Sequence, residues 1–371
     1  MAVNPFVDLD YGPLQKYLDD PNITDISYSN NGQLWLKTLD KGVIKAPTQN
    51  VTNVIVEKLA FQCANAMGKN FNMANPLLDS EAEELRMNFI HESVAANGIA
   101  VLIRKTPALI RLKDDKMLEE NYIPQNILDL IIQCVHGHCN IMVSGETGSG
   151  KTEVVKFLAS KTIETEKLIT IEDTLELHLH KIYPHRDIVA MKTNIIVSYS
   201  DVLVACMRQN PKWILLSEVR SAEAVTAVRN SVSSGHYILS TIHSDRASNI
   251  PMRLYSLLEG TTNIDQFLTS IHRYIQLGIH VRAVTDPKTG RFYREICEVT
   301  EFYVDEDNKP GMNHIFLKNP DGSTIYNSIS KYLIRYLGSQ GITVVKHNVI
   351  DDKKRRADSE LLSERTVEIL D

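Results

Sequence analysis

The segment Gly145-Glu146-Thr147-Gly148-Ser149-Gly150-Lys151-Thr152 has the spacing G-x-x-x-x-G-K-[ST]. Its chemistry is phosphate binding. Glycines let successive backbone N–H groups turn onto one anion, and a following helix adds its positive end. A lysine at Lys151 bridges β- and γ-phosphates, and a hydroxyl at Thr152 ligates Mg²⁺. The apolar run Asn140-Ile141-Met142-Val143 precedes the loop, and good helix formers follow from Glu153 to Ala159. This is the strand–loop–helix context that the motif needs. The expectation is a nucleoside triphosphate held with Mg²⁺ by residues 145–153.

Two acidic clusters end apolar runs downstream. Ile169-Thr170-Ile171 leads into Glu172-Asp173, and Trp213-Ile214-Leu215-Leu216 into Ser217-Glu218, with Arg220 close behind. A carboxylate at the end of a buried strand beside a phosphate loop can hold Mg²⁺ or orient a water. Acids also simply cap strand ends and open helices. A third group, Gly235-His236 and then Ser240-Thr241-Ile242-His243, sets a histidine at each end of one strand. Such a histidine can contact a γ-phosphate, or be structural. Cys134, His136, His138 and Cys139 resemble a metal set in composition only, because structural zinc spacings leave a loop between ligand pairs. The run 353–356 (Lys-Lys-Arg-Arg) is flanked by acids and reads as solvated.

These residues need elements to position them. From 125 onward, expected strands at 140–143, 168–171, 188–191, 213–216 and 237–241 alternate with helices at 152–161, 200–208 and 221–233. That order implies βαβ units, a mainly parallel sheet, and a ligand at the carboxyl ends of the strands. Residues 1–112 read as a smaller α+β domain. It has strands around Asp25–Tyr28, 33–36 and 100–103, a turn at Asn30-Asn31-Gly32, and a helix whose face is Val51, Val54, Ile55, Leu59 and Ala66. The charged stretch 113–124 reads as a linker, 125–330 as the phosphate-loop domain, and 331–371 as an extension with a charged tail. With 371 residues, 43% apolar and 23% charged, two soluble domains are expected. The net charge of −6 gives a nucleic-acid partner no support. Residues 1–11 lack the pattern of a signal peptide, and five scattered cysteines suit a reducing compartment. The expected location is therefore cytoplasmic.

Taken together, the boxes resemble the secretion ATPases of the type II/type IV secretion superfamily, hexameric motors related to RecA, over roughly residues 15–305. The glycine loop is similar to that family's Walker A box and Ile171–Glu176 to its Asp box. Residues 215–224 are similar to its Walker B segment, and Gly235-His236 with 240–243 to its His box. In the first domain, 20–26 resembles the family's opening strand, and Ile103-Arg104-Lys105 a closing strand whose arginine points at nucleotide phosphates. Arg86 matches a second such arginine. Ser217 and Ile238 depart from the pattern, each standing where the family usually has glycine.

The resemblance implies roles. Glu218 polarises the lytic water, and Glu172 assists through the Mg²⁺ shell, so Thr152, Glu172 and Glu218 surround the metal. His243 and His236 couple phosphate loss to motion. Arg104 and Arg86 act on the phosphates, and Arg220 supports the interface. It further implies ATP hydrolysis by a homohexamer, peripheral at the cytoplasmic membrane, working with inner-membrane and coupling components of a secretion or conjugation apparatus. With no CxxC pair and no retraction-motor signature, the nearest branch is the type IV traffic ATPases. Pilus assembly, retraction or Tad-type motors and a RecA-like nucleic-acid motor are the alternatives, followed by a small-molecule kinase or a non-hydrolysing scaffold.

Overall fold

The structure, a computed structural model, describes residues 9–344 apart from 30, 31, 48, 49, 83, 195 and 259–262. The expected Asn30-Asn31 turn, the basic run 353–356 and most of the charged tail therefore lie outside the described residues. The chain forms two compact units. One is built on residues up to Ala108 together with Val284–Tyr293, and the other on Leu109–Ala283 together with residues from Arg294 onward.

The first unit holds a six-stranded antiparallel sheet. Its strands are β1 (Ile23–Ser29), β2 (Gln33–Thr38), β3 (Gly42–Ala46), β4 (Leu77–Ala82), β5 (Leu85–Ile90) and β6 (Ala100–Lys105), ordered β3-β2-β1-β6-β5-β4. Alternate residues such as Ile26, Tyr28, Met87, Phe89, Val101 and Ile103 are buried with the helix Asn53–Ala66. That helix buries Val56, Leu59, Ala60, Cys63 and Ala64, a set spaced i, i+3, i+4, i+7, i+8. The expected face was displaced. Val54 is 73% exposed, and Val51, though buried, precedes the helix.

The second unit carries a nine-stranded sheet: β7 (Ile141–Gly145), β8 (Leu168–Glu172), β9 (Ile188–Lys192), β10 (Trp213–Val219), β11 (Tyr237–Ile242), β12 (Leu277–Thr285), β13 (Phe292–Val304), β14 (Pro310–Lys318) and β15 (Thr324–Tyr326). The order is β15-β14-β13-β12-β7-β11-β10-β8-β9. From β12 to β9 every neighbouring pair is parallel, whereas β13–β14 and β14–β15 are antiparallel. The sheet is thus mixed, parallel over the six strands from β12 to β9 and antiparallel from β13 to β15. Short turns join β13 to β14 and β14 to β15, and a short turn reverses the chain where a helical crossover would not.

Parallel strands buried on both faces read as continuous apolar runs. Ile141, Val143, Leu168, Leu215 and Leu239 face a core shared with the helices Gln125–His136 and Lys151–Ser160. Met142, Ile169, Ile171, Ile214 and Ile238 face another, shared with Tyr199–Met207, Ala222–Ser233 and Ile264–Tyr274. The stretch expected as a linker folds into the first of these cores. It forms the helix Asp114–Glu119 and buries Met117, Tyr122 and Ile123, apolar residues set among its charges. Leu333 and Leu337 of the helix Lys331–Ser339 join the same core.

Candidate active site

Strand β7 delivers the glycine loop to the carboxyl edge of the parallel strands. Gly148 and Gly150 have φ of +80° and +102°, a region that favours glycine. A Cβ on Gly145 would lie 2.3 Å from the Val281 carbonyl oxygen and 2.5 Å from Ser149 Oγ. The Ser149 hydroxyl is buried without a hydrogen-bond partner among the described residues. Such a cradle, closed to any side chain and holding an unused donor, fits an anion. Thr152 and Glu153 begin the helix behind it, half-buried, with Glu153 Oε1 3.5 Å from the ammonium of the buried Lys156.

Register brings the other groups to the same edge. Ile242 pairs with Ser144, so His243 follows β11 beside Gly145. On β10 the pairing shifts between Leu216 and Val219, and that irregularity contains Ser217 and Glu218. A bulge re-aims side chains at a strand end. The Thr241 hydroxyl ties it down by donating to the Ser217 carbonyl at 2.5 Å.

A connected chain results. Lys151 Nζ donates to the Gly145 and Glu146 carbonyls, each at 2.9 Å, and lies 3.3 Å from His243 Nδ1. His243 Nε2 is 2.9 Å from Glu218 Oε1. In the neutral imidazole with Nε2–H donating to Glu218, Nδ1 accepts from the lysine. A second proton would turn Nδ1–H toward the Gly145 carbonyl, 3.2 Å away.

Glu172 stands apart from this chain. It is fully buried, with Oε1 accepting from the Thr170 hydroxyl at 2.8 Å and Oε2 from the backbone N–H groups of Glu176 (2.8 Å) and Leu177 (3.1 Å). Burial pushes its carboxyl above the usual carboxylate range, against those hydrogen bonds. These hydrogen bonds tie Glu172 to the end of β8 and to the turn that follows it. The next residue, Asp173, pairs with Arg220, joining the acidic end of β8 to that of β10.

Three expected site residues lie elsewhere, one in the same unit and two in the other. His236 precedes β11, with Nδ1 2.9 Å from the Pro211 carbonyl, at the opposite end of that strand from His243. Arg104 and Arg86 belong to the first unit, directly opposite each other on β6 and β5. Arg104 Nε donates to Asp25 at 2.8 Å, and Arg86 is paired in register with Glu81. The cysteine–histidine group has its own explanation: His138 Nε2 is 2.6 Å from Glu166, and its ring stacks on Trp213 and Tyr237.

Sequence reasoning missed two residues. Arg294 of β13 donates to the Gly148 carbonyl at 3.3 Å, and His280 of β12 lies 2.9 Å from the hydroxyl of Ser144, just before the loop. Neither lies in a box, and each is more than 130 positions away in the chain.

Comparison with known proteins shows the family. Residues 10–301 match the family described as Type II/IV secretion system protein. Over 305 residues the chain is 32% identical to an uncharacterised protein of Bacillus anthracis, covering 79% of this chain and 68% of that one. It is 26% identical over 292 residues to the probable conjugal transfer protein TrbB of Sinorhizobium fredii, covering 77% and 86%. Among solved structures it is similar to the Legionella pneumophila ATPase DotB, with a TM-score of 0.56 at 19% identity over 80% of each chain. That last likeness speaks for the fold.

Proposed function

The chain belongs to the type II/IV secretion system protein family, and from that premise we propose that it is an ATPase of a type IV secretion or conjugation apparatus, driving substrate translocation or pilus biogenesis. One observation carries the reading: the Lys151–His243–Glu218 chain is assembled from three separate segments at the mouth of a glycine cradle.

In this reading the second unit is a RecA-like domain and residues 145–153 bind the triphosphate of ATP. Lys151 neutralises phosphate charge, and its ammonium is already aimed along the loop. Glu218 takes the proton of the attacking water, with His243 linking it to Lys151 so that loss of the phosphate is felt at both ends. Thr152, with Glu218, would hold Mg²⁺, which supplies charge neutralisation at the phosphates when bound. Glu172 keeps a place in the site by fixing the turn that carries Asp173, whose partner Arg220 follows Glu218 by two residues. Arg104 and Arg86 supply guanidinium charge; like charges directly opposite repel, so a shared anion would be favoured there. An arginine on a transferring phosphate contributes about 10³–10⁵ in rate. Six copies, peripheral at the cytoplasmic membrane and joined to its coupling components, would turn the cycle into displacement.

The test is phosphate release from Mg²⁺-ATP by wild type and by Lys151→Ala, with the assembly's mass measured alongside. The reading expects turnover by a hexamer and only background release from the variant. A monomer releasing no phosphate would end it.

A further inference from the structure

The loop carrying His243 is anchored from outside every box. Glu298 on β13 is 2% exposed and collects four donors or ring contacts. Its Oε2 accepts from the Ala247 N–H at 3.1 Å, and its Oε1 from the Ser248 N–H at 3.0 Å and the Thr300 hydroxyl at 2.9 Å. His314 Nδ1 of β14 lies 3.2 Å from Oε1. The loop is held from another side as well: a Cβ on Gly278 of β12 would meet the Ala247 carbonyl oxygen at 3.1 Å. Arg253 Nε donates to the carbonyl of His243 itself at 3.1 Å.

A buried carboxylate is a costly way to fill space, because an apolar side chain would do so without desolvating a charge. What it offers instead is strong, directional acceptance of two consecutive main-chain N–H groups. Those groups lie four and five residues after His243, so fixing them fixes where the imidazole begins. We propose that Glu298 is a positioning residue: it holds residues 243–249 so that His243 stays between Lys151 and Glu218, and thereby ties the sheet extension to phosphate chemistry. The inference rests on the hydrolysis proposed above.

The test uses the full chain with Glu298→Gln, His243→Ala and the double variant. The amide variant keeps the shape but turns an NH₂ group toward one of the two N–H donors. A misplacement near 1 Å can cost about 10²-fold. The expected result for Glu298→Gln is a kcat roughly ten- to hundred-fold lower, with KM for ATP within about twofold. In the His243→Ala background the same change should cost nothing further, because both act through one group. Hydrogen exchange at the amides of Ala247 and Ser248 should accelerate at least about tenfold in Glu298→Gln whether or not the protein turns over ATP. Should that variant not fold, Thr300→Val, which removes one donor and keeps the carboxylate, carries the same readouts at smaller amplitude. Unchanged exchange, a wild-type kcat, or a penalty that persists without His243 would overturn the proposal. Absence of turnover in wild type with accelerated exchange in the variant would instead defeat the proposed ATPase and leave the anchor standing.

Discussion

The two sheets place charged groups in different ways. In the parallel strands from β12 to β9 the interior is mostly apolar, and Lys151, His243 and Glu218 gather at the ends, where strands hand over to loops. In the antiparallel sheet the charges lie across a face. Lys37, Asp25, Arg104, Arg86 and Glu81 pair in register along β2, β1, β6, β5 and β4. Directly opposite residues share a face, so this is one row of charge built from five strands. Strand-end groups depend on loop geometry; face groups depend on register. Substitutions should therefore fail in different ways in the two places.

The largest contrast is expected at glycine. Gly145→Ala must displace the Val281 carbonyl or the loop itself, so nucleotide binding and turnover should be lost together with several degrees of Tm. Gly235→Ala meets nothing within 4 Å and carries only the strain of φ +87°, about 1–2 kcal/mol. Thermal melts with a fluorescent nucleotide separate the two. Equal behaviour would erase the distinction between a strand-end cradle and an ordinary turn.

Next in size is the charge row. The Arg104–Asp25 pair is partly exposed, so Arg104→Ala should cost only about 0.2–1 kcal/mol of unfolding free energy. If the row serves the phosphates, turnover should still fall at least about tenfold, below the arginine ceiling of about 10³–10⁵. Urea unfolding and phosphate release on one preparation read both numbers. A stability loss with unchanged turnover would make the row structural.

The smallest effect is electrostatic. Burial raises the folded-state pKa of Glu172, so the native protein binds that proton more tightly than the unfolded chain does. Its contribution is full below the unfolded value, about 4.3, and is lost as pH rises through the raised folded one. Stability of wild type relative to Glu172→Gln should therefore decline across that window. Urea titrations at several pH values would show it, and a rising difference would reverse the sign.

Legibility in the sequence follows the same division. The parallel strands were readable because each is a short apolar run, four of them leading into a box, and all five expected there are present. Their mixed neighbours were less so, since Asp-Asn-Lys-Pro-Gly marks a turn without saying what the turn joins. Proximity along the chain does not show that a six-residue strand separates His236 from His243, about 20 Å at 3.3 Å per residue. Glu172 sits in a recognisable box, but only the fold reveals that its oxygens are used by its own turn. Arg294 and Glu298 carry no local signal, because β13 meets the loops only through sheet order.

The most direct test lies at Glu218. Single-turnover phosphate release by Glu218→Gln, with ATP affinity measured on the same sample, isolates proton removal from binding. Loss of a general base typically lowers the rate about 10²–10⁴-fold, and affinity should be retained. Release at the wild-type rate would contradict the account at its centre.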